Sequence, residues 1–143
     1  MESFAFGFPP DGQSVDPYRS DSRIPDSIRE EVMRRYEAEY PNGYVLAFWD
    51  SETQIFGFYT RTKETWKKSD AIDEIVLFPI KPAKGPGFLV VGSEGTNPGW
   101  PDDFFLSSSR YTESLHDWIR SRSERLAALI GKPFREAPAG ADC

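Results

Sequence analysis

The sequence predicts an α+β fold in which a four-stranded, mainly antiparallel sheet carries an N-terminal and a C-terminal helix on one face. Two segments show the apolar period of an amphipathic helix, and they flank four short runs that are rich in β-branched and aromatic residues. Turn residues between these runs are close enough for hairpins, which pair strands antiparallel. The 143 residues fit one domain at 24–131, with an irregular Phe-containing arm at 1–23 and a flexible tail at 132–143.

The arm is rich in Pro, Gly, Ser and Asp, which favour turns over regular structure. Phe4, Phe6 and Phe8 stand at period two, so an extended arm aims the three rings to one side. Three exposed rings in a free tail would be an aggregation hazard, so we expect the arm to dock on the domain.

The first helix is predicted in IPDSIREEVMRRYEAEYPNG. Pro25 and Asp26 suit a helix start, whereas Pro41 and Gly43 end it. Its apolar stripe comprises Ile28, Val32, Tyr36 and Tyr40, with Met33 beside them.

The segment GYVLAFWDSETQIFGFYT predicts a β-hairpin with its turn at 50–53, Phe48 opposite Ile55 and Ala47 opposite Phe56. Both faces of this hairpin are apolar. One face carries Tyr44, Leu46, Phe48, Ile55 and Tyr59, and the other carries Val45, Ala47, Trp49, Phe56 and Phe58.

A basic connector, RTKETWKKSDA, leads to two further strands, DEIVLFPI and GFLVVG. A long loop over 92–109 precedes the last helix, which is predicted to begin near Thr112 and to end before Gly131 and Pro133. The apolar stripe of this helix comprises Leu115, Trp118, Ile119, Leu126, Leu129 and Ile130.

The second apolar face of the sheet needs a cover. Three aromatic rings of the hairpin represent roughly 450–750 Å² of surface, whereas the largest exposed patch of a typical monomer is about 300–600 Å². The arm, the 92–109 loop or another protein chain would each cover this face. If another protein chain covers it, the face is a docking surface.

Charge and cysteine content narrow the function classes. The net charge of −6 disfavours general nucleic-acid binding and favours a basic protein partner. The only cysteine is Cys143, so no internal disulfide forms. With no signal-peptide pattern and no apolar run of membrane-spanning length, we expect a cytoplasmic protein without membrane association.

Residues suited to catalysis are sparse. One histidine, His116, and one cysteine do not make the usual zinc or Cys–His sets, so we expect no metal and no cofactor. Glu94, Asp102 and Asp103 suit either acid/base chemistry or a solvated turn. The basic residues around Trp66 suit single-stranded nucleic acid, a solvated connector or a protein contact.

Four segments together resemble the SUKH superfamily: IPDSIREEVMRRYEAEYPNG, the strand region, VVGSEGTNPG and SSSRYTESLHDWI. The resemblance spans roughly residues 24–130. It implies an immunity-type protein that binds and neutralises a toxin, often a nuclease, without a catalytic set of its own. The single opening helix and the Phe-containing arm depart from the pattern of that family.

The sequence thus predicts a non-enzymatic protein-binding module, of the immunity type, that occludes a basic partner such as a toxin. The predicted partner-binding residues are Trp49, Phe56, Phe58, Trp66 and Trp100, accompanied by the acids Glu94, Asp102 and Asp103. Two alternatives are a small enzyme or ligand-binding domain, with an aromatic-lined pocket and those acids as acid/base groups, and a homodimer that buries the second sheet face.

Overall fold

The computed structural model describes residues 1–7, 14–15, 24–39, 45–61, 63–80, 87–93, 104–108 and 113–137, with the backbone alone at 14–15, 80, 87–93 and 104–108. The helices are α1 (Asp26–Glu39) and α2 (Glu113–Ile130). The strands are β1 (Glu2–Ala5), β2 (Ser14–Val15), β3 (Leu46–Asp50), β4 (Ile55–Tyr59), β5 (Glu64–Lys68), β6 (Glu74–Ile80), β7 (Gly87–Ser93), β8 (Phe104–Ser108) and β9 (Phe134–Glu136).

The strands form two sheets. The first sheet has the order β1-β3-β4-β5 and is antiparallel throughout. The second sheet has the order β2-β8-β7-β6-β9, in which only the β6–β9 pairing is parallel. The predicted α+β class, a four-stranded antiparallel sheet and the two helices are confirmed. The membership of that sheet differs from the prediction, because the two predicted hairpins, β3–β4 and β6–β7, belong to different sheets.

The register of the β3–β4 hairpin differs from the predicted one by two residues, since Phe48 pairs with Gly57 and Ala47 with Phe58. The turn lies at 51–54, one residue later than predicted. Asp50 fixes it by accepting hydrogen bonds from the backbone N–H of Thr53 at 3.1 Å and from its hydroxyl at 2.6 Å. A shift of two residues preserves the direction of every side chain, so both predicted faces are retained.

Four segments that were predicted to be irregular contain strands, and these predictions are wrong. The arm supplies β1 and β2, the connector supplies β5, the 92–109 loop supplies β8, and the tail supplies β9. Phe4 and Phe6 are nevertheless docked as expected, at 5% and 0% exposure, while Phe8 lies outside the described residues. Short strands like these are stabilised by the partner strand beside them, which local sequence patterns do not reveal.

Helix α1 covers one face of the first sheet. Pro25 caps its start, because the Pro25 carbonyl accepts hydrogen bonds from the N–H groups of Ile28 and Arg29, both at 3.0 Å. The buried side of the helix packs on the predicted hairpin face and on Trp66 of β5. This cluster comprises Ile24, Ile28, Val32, Tyr36, Leu46, Phe48, Ile55, Tyr59 and Trp66.

Helix α2 and strand β6 cover the opposite face of the first sheet. The helices therefore lie on opposite faces of that sheet, rather than together on one face as predicted. The main core fills the space between the first sheet, α2 and β6, and it includes Phe4, Phe6, Ala47, Trp49, Phe56, Phe58, Ile75, Leu77, Leu115, Ile119 and Leu126. The second apolar face is thus covered within the chain, by elements that are far from the hairpin in sequence.

The end of α2 directs the chain into β9. Gly131 adopts a left-handed φ of 74°, and the N–H groups of Gly131 and Lys132 donate to the carbonyls of Ala128 and Ala127 at 3.3 and 2.9 Å. This pair of hydrogen bonds is a Schellman motif, which satisfies carbonyls of the last helical turn and reverses the chain. The Ile75 N–H then bonds the Pro133 carbonyl at 3.0 Å and starts the parallel β6–β9 pairing.

Candidate functional site

Four of the five predicted aromatic contact residues are in the core, and for these four the site prediction is corrected. Trp49 is 6% exposed and Phe56 and Phe58 are fully buried beneath α2 and the second sheet, while Trp66 is 6% exposed beneath α1. A ring that fills the core is not available to a partner protein or to a nucleic-acid base. The other predicted contact residues, Trp100, Glu94, Asp102 and Asp103, lie outside the described residues.

The surface of the described part of the chain is strongly acidic. Its exposed acids are Glu2, Asp26, Glu30, Glu37, Glu39, Glu52, Asp70, Asp73, Glu113, Asp117 and Glu124. Its exposed bases are fewer: Arg34, Arg61, Lys63, Lys68, Arg125 and Arg135. The other bases in this part are half-buried, and several of them hold carboxylates or aromatic rings of the same chain. The acidic excess of the described residues is therefore displayed to solvent, where it acts on an approaching partner.

A shallow concavity of about 270 Å³ lies between the start of α1 and the β3–β4 turn. The acids of its wall are Glu31 on the helix and Asp50 and Glu52 on the turn, and its apolar floor includes Ile28 and Met1. The sequence did not single out these acids, because Glu31 fits an ordinary helical ion pair and the other two fit an ordinary turn. Only the packing of α1 on the first sheet brings them together.

Glu31 is held ionised at this concavity. Hydrogen bonds from Arg34, at 2.6 Å, and Arg35, at 2.7 Å, lower the pKa of Glu31 to about 2. Arg35 also donates to the hydroxyl of Ser3 on β1 at 3.1 Å, which ties the helix to the sheet edge. Among the described residues, neither Asp50 nor Glu52 forms an ion pair with an arginine; Glu52 is exposed and Asp50 is half-buried.

The only histidine belongs to a structural cluster. His116 Nε2 lies 2.8 Å from Glu136 Oε1, and Arg120 Nε donates to the same oxygen at 3.0 Å. Burial opposes ionisation of Glu136, yet the hydrogen bonds from Arg120 and His116 prevail and lower its pKa. The cluster joins α2 to β9, and its side chains serve that connection.

Within the described ranges, no three His, Cys, Asp or Glu side chains are grouped so that they could hold a metal ion. None of the helices there has the length and apolar content needed to cross a membrane. Comparisons with protein-family models, curated proteins and solved structures returned no match to this chain. The resemblance to the SUKH superfamily accordingly stays a prediction from the sequence.

Proposed function

We propose that this protein is a non-enzymatic binding module that occludes a basic protein partner. The observation that carries the proposal is the acidic concavity of Glu31, Asp50 and Glu52, in a chain whose net charge is −6 and whose exposed charges are mainly acidic. An acidic field hastens the approach of a basic protein and favours one orientation of the encounter. The aromatic face does not enter this proposal, because it is covered within the chain.

In this proposal, an arginine or lysine side chain of the partner enters the concavity. Its apolar stem packs on Ile28 and Met1, and its charged head meets Asp50 and Glu52. The volume of about 270 Å³ suits one such side chain, with further contacts on the surrounding surface. Long-range attraction to the exposed acids then sets the association rate.

The finer form of the proposal is an immunity-type inhibitor whose partner is a basic toxin. It rests on the resemblance of roughly residues 24–130 to the SUKH superfamily that is predicted from the sequence, together with the acidic surface. Inhibition by occlusion needs no catalytic group on this chain. It requires only that the bound protein cover the active surface of the toxin.

The test places a photo-crosslinking amino acid at position 52, beside the concavity, and in a matched sample at position 124, on the exposed side of α2. Irradiation in cells that naturally make the protein is expected to link position 52 to one basic protein. This crosslinked basic protein, once purified, is expected to bind the wild-type chain and to lose its own activity when bound. A partner whose own activity is unaffected by binding would contradict the inhibitor role while leaving the binding function in place.

Charge reversal provides the matched comparison. Glu52→Lys reverses a charge of the concavity and Glu30→Lys reverses the charge next to Glu31 in the chain, whereas Asp73→Lys with Glu124→Lys makes the same change elsewhere on the exposed surface. The first pair is expected to weaken binding at least tenfold, which corresponds to about 1.4 kcal/mol, and the second pair far less. Equal weakening by both pairs, or crosslinks that do not favour position 52, would contradict the proposed site.

A further inference from the structure

A second cleft lies at the opposite end of the first sheet, between α1 and the turn that joins β4 to β5. Its volume is about 160 Å³. Arg29 and Met33, four residues apart on one side of α1, form one wall, and Tyr59, Arg61 and Lys63 contribute the other. This cleft is distinct from the acidic concavity, and it collects cations in a chain whose described residues expose more acids than bases.

The charges in the cleft do not cancel. Among the described residues, its wall carries the three cations Arg29, Arg61 and Lys63 and one carboxylate, Glu64, which forms an ion pair with Arg29 Nη2. Glu37 reaches Arg61 from outside the cleft, at 3.5 Å with both side chains largely exposed, which is a weak interaction. The cleft therefore presents a net positive charge.

One donor in the cleft wall is buried and unsatisfied. The Nε atom of Arg29 is inaccessible to solvent and has no hydrogen-bond partner within the described part of the chain. A buried donor of a charged group is costly to leave unpaired, so this N–H favours an anionic oxygen that accepts its hydrogen bond. Glu64 accepts a hydrogen bond from Nη2 of the same guanidinium and restricts its orientation.

Tyr59 adds a neutral donor. Burial raises the pKa of its hydroxyl, and the nearby carboxylates of Glu64 and Glu37 raise it further. The phenol therefore keeps its proton at physiological pH, and its O–H can donate to an anion. The ring is held by an edge-to-face contact with Tyr36, with the centroids 5.2 Å apart.

The turn that carries two of the cations is constrained. Thr60 N–H donates to the Lys63 carbonyl at 2.8 Å, and Lys63 N–H donates to the Thr60 hydroxyl at 3.1 Å. These bonds close the turn on itself and restrict how far Arg61 and Lys63 can move from α1. A site whose charged groups are already in place loses less entropy when a ligand binds.

We propose that this cleft binds the phosphate or carboxylate group of a small molecule. A cavity of about 160 Å³ admits an anionic end group but not a whole drug-sized ligand, which needs roughly 300 Å³ or more. The remainder of the ligand then lies over Met33, the one large apolar side chain among the described residues that is exposed, at 43%. The ligand class is thus an anionic head attached to a partly apolar body.

The test follows the Arg29 Nε–H signal in two-dimensional ¹H–¹⁵N NMR spectra while inorganic phosphate, citrate or sodium chloride is added at matched ionic strength. Phosphate or citrate is expected to shift this signal saturably, whereas chloride leaves it in place. A shift with phosphate alone assigns a phosphate group, and a shift with citrate alone assigns a carboxylate. No saturable shift with either anion overturns the proposal.

Two charge-matched double variants separate the cleft from general electrostatics. Arg61→Gln with Lys63→Met removes two cleft cations, and Arg34→Gln with Lys68→Met removes two exposed cations elsewhere. The first pair is expected to weaken anion binding at least tenfold and the second pair less than twofold. Equal weakening by the two pairs overturns the proposal. All four positions are exposed, so well-dispersed spectra of both variants confirm that they fold.

Discussion

Substituting Gly57 by Ala tests how tightly the first sheet is packed. Gly57 lies in the middle of β4, between Phe48 on β3 and Trp66 on β5. In an unconstrained strand, Ala would be the more stable residue by roughly 0.5–1 kcal/mol, because Gly loses more backbone entropy on folding. Here we expect the opposite sign.

The expected destabilisation follows from the neighbours of the added methyl group. Its carbon would lie 2.8 Å from the Trp66 Cα atom and 2.9 Å from Phe48 Cζ, and it would overlap the backbone carbonyl oxygen of Thr65. Two of these neighbours are backbone atoms of β5, which cannot retreat without breaking the β4–β5 pairing. Overpacking typically costs about 1–3 kcal/mol, and we expect the upper end, about 3 kcal/mol. For a chain of this length, that lowers Tm by roughly 9–15 °C.

The assay is urea unfolding of the wild type and the variant, followed by tryptophan fluorescence and circular dichroism, with an unchanged m-value. Gly131→Ala is the matched control, because its added methyl group has no described residue within 4 Å apart from its chain neighbours and its own helix backbone, and the left-handed φ of 74° is what opposes it. That conformational cost is about 1 kcal/mol, and Asn at the same position should cost less than Ala. A Gly57→Ala variant within 1 kcal/mol of the wild type would refute the close approach of β4 and β5.

Two further predictions concern α2 and its connection to β9. Ser123→Ala should stabilise the protein by about 1–2 kcal/mol, because the Ser123 hydroxyl is fully buried without a partner within the described residues and Ala is the better helix former. The control is Ser121→Ala, at an exposed position, which should change thermal unfolding little. A destabilised Ser123→Ala variant would contradict this reasoning. Because the folded-state pKa of Glu136 is lowered, its contribution is present above the unfolded pKa of about 4.3 and is lost as the pH falls through the folded value. Glu136→Gln should therefore be less stable than the wild type at pH 7, and the difference should shrink as the pH falls below the unfolded pKa of about 4.3. Urea unfolding at several pH values will show this, and a difference that does not change with pH would contradict the prediction.

The helices and the hairpin faces could be predicted because each rests on a local period. Ile28, Val32 and Tyr36 recur at helical spacing and are buried on one side of α1. The alternation of Leu46 and Phe48 with Ala47 and Trp49 separates the two faces, and this separation survived a register error of two residues. The alternation of side chains between two faces is a property of the strand itself, whereas the pairing register depends on where the turn closes.

The connector was misread because its charges resemble those of a solvated loop. Strand β5 is an edge strand in which Thr65 and Trp66 are buried. Its charged residues, Glu64, Lys67 and Lys68, are half-buried or exposed. Charged residues on an edge strand discourage further pairing, so edge strands and loops have similar compositions. The same ambiguity hid β1 and β9, which are short and occupy sheet edges.

The candidate sites could not be predicted from the sequence for a different reason. The acidic concavity joins residues of α1 to the β3–β4 turn, and the cationic cleft joins α1 to the β4–β5 turn. Each residue alone fits a bland interpretation as a helix surface or a turn. Their combined chemistry appears only when folding brings together elements that are separated by about twenty or more residues in the chain.

By itself, the sequence determined which residues are helical, which hairpin residues share a face, and that both faces of the hairpin are apolar. The tertiary structure decided what covers those faces: α1 on one side, and α2 with β6 on the other. The physical reason is that burial of apolar surface is non-directional, so an apolar face specifies that it must be covered but not by which element. Strand pairing and helix packing over long sequence separations make that choice, and here they turned a predicted docking surface into a core.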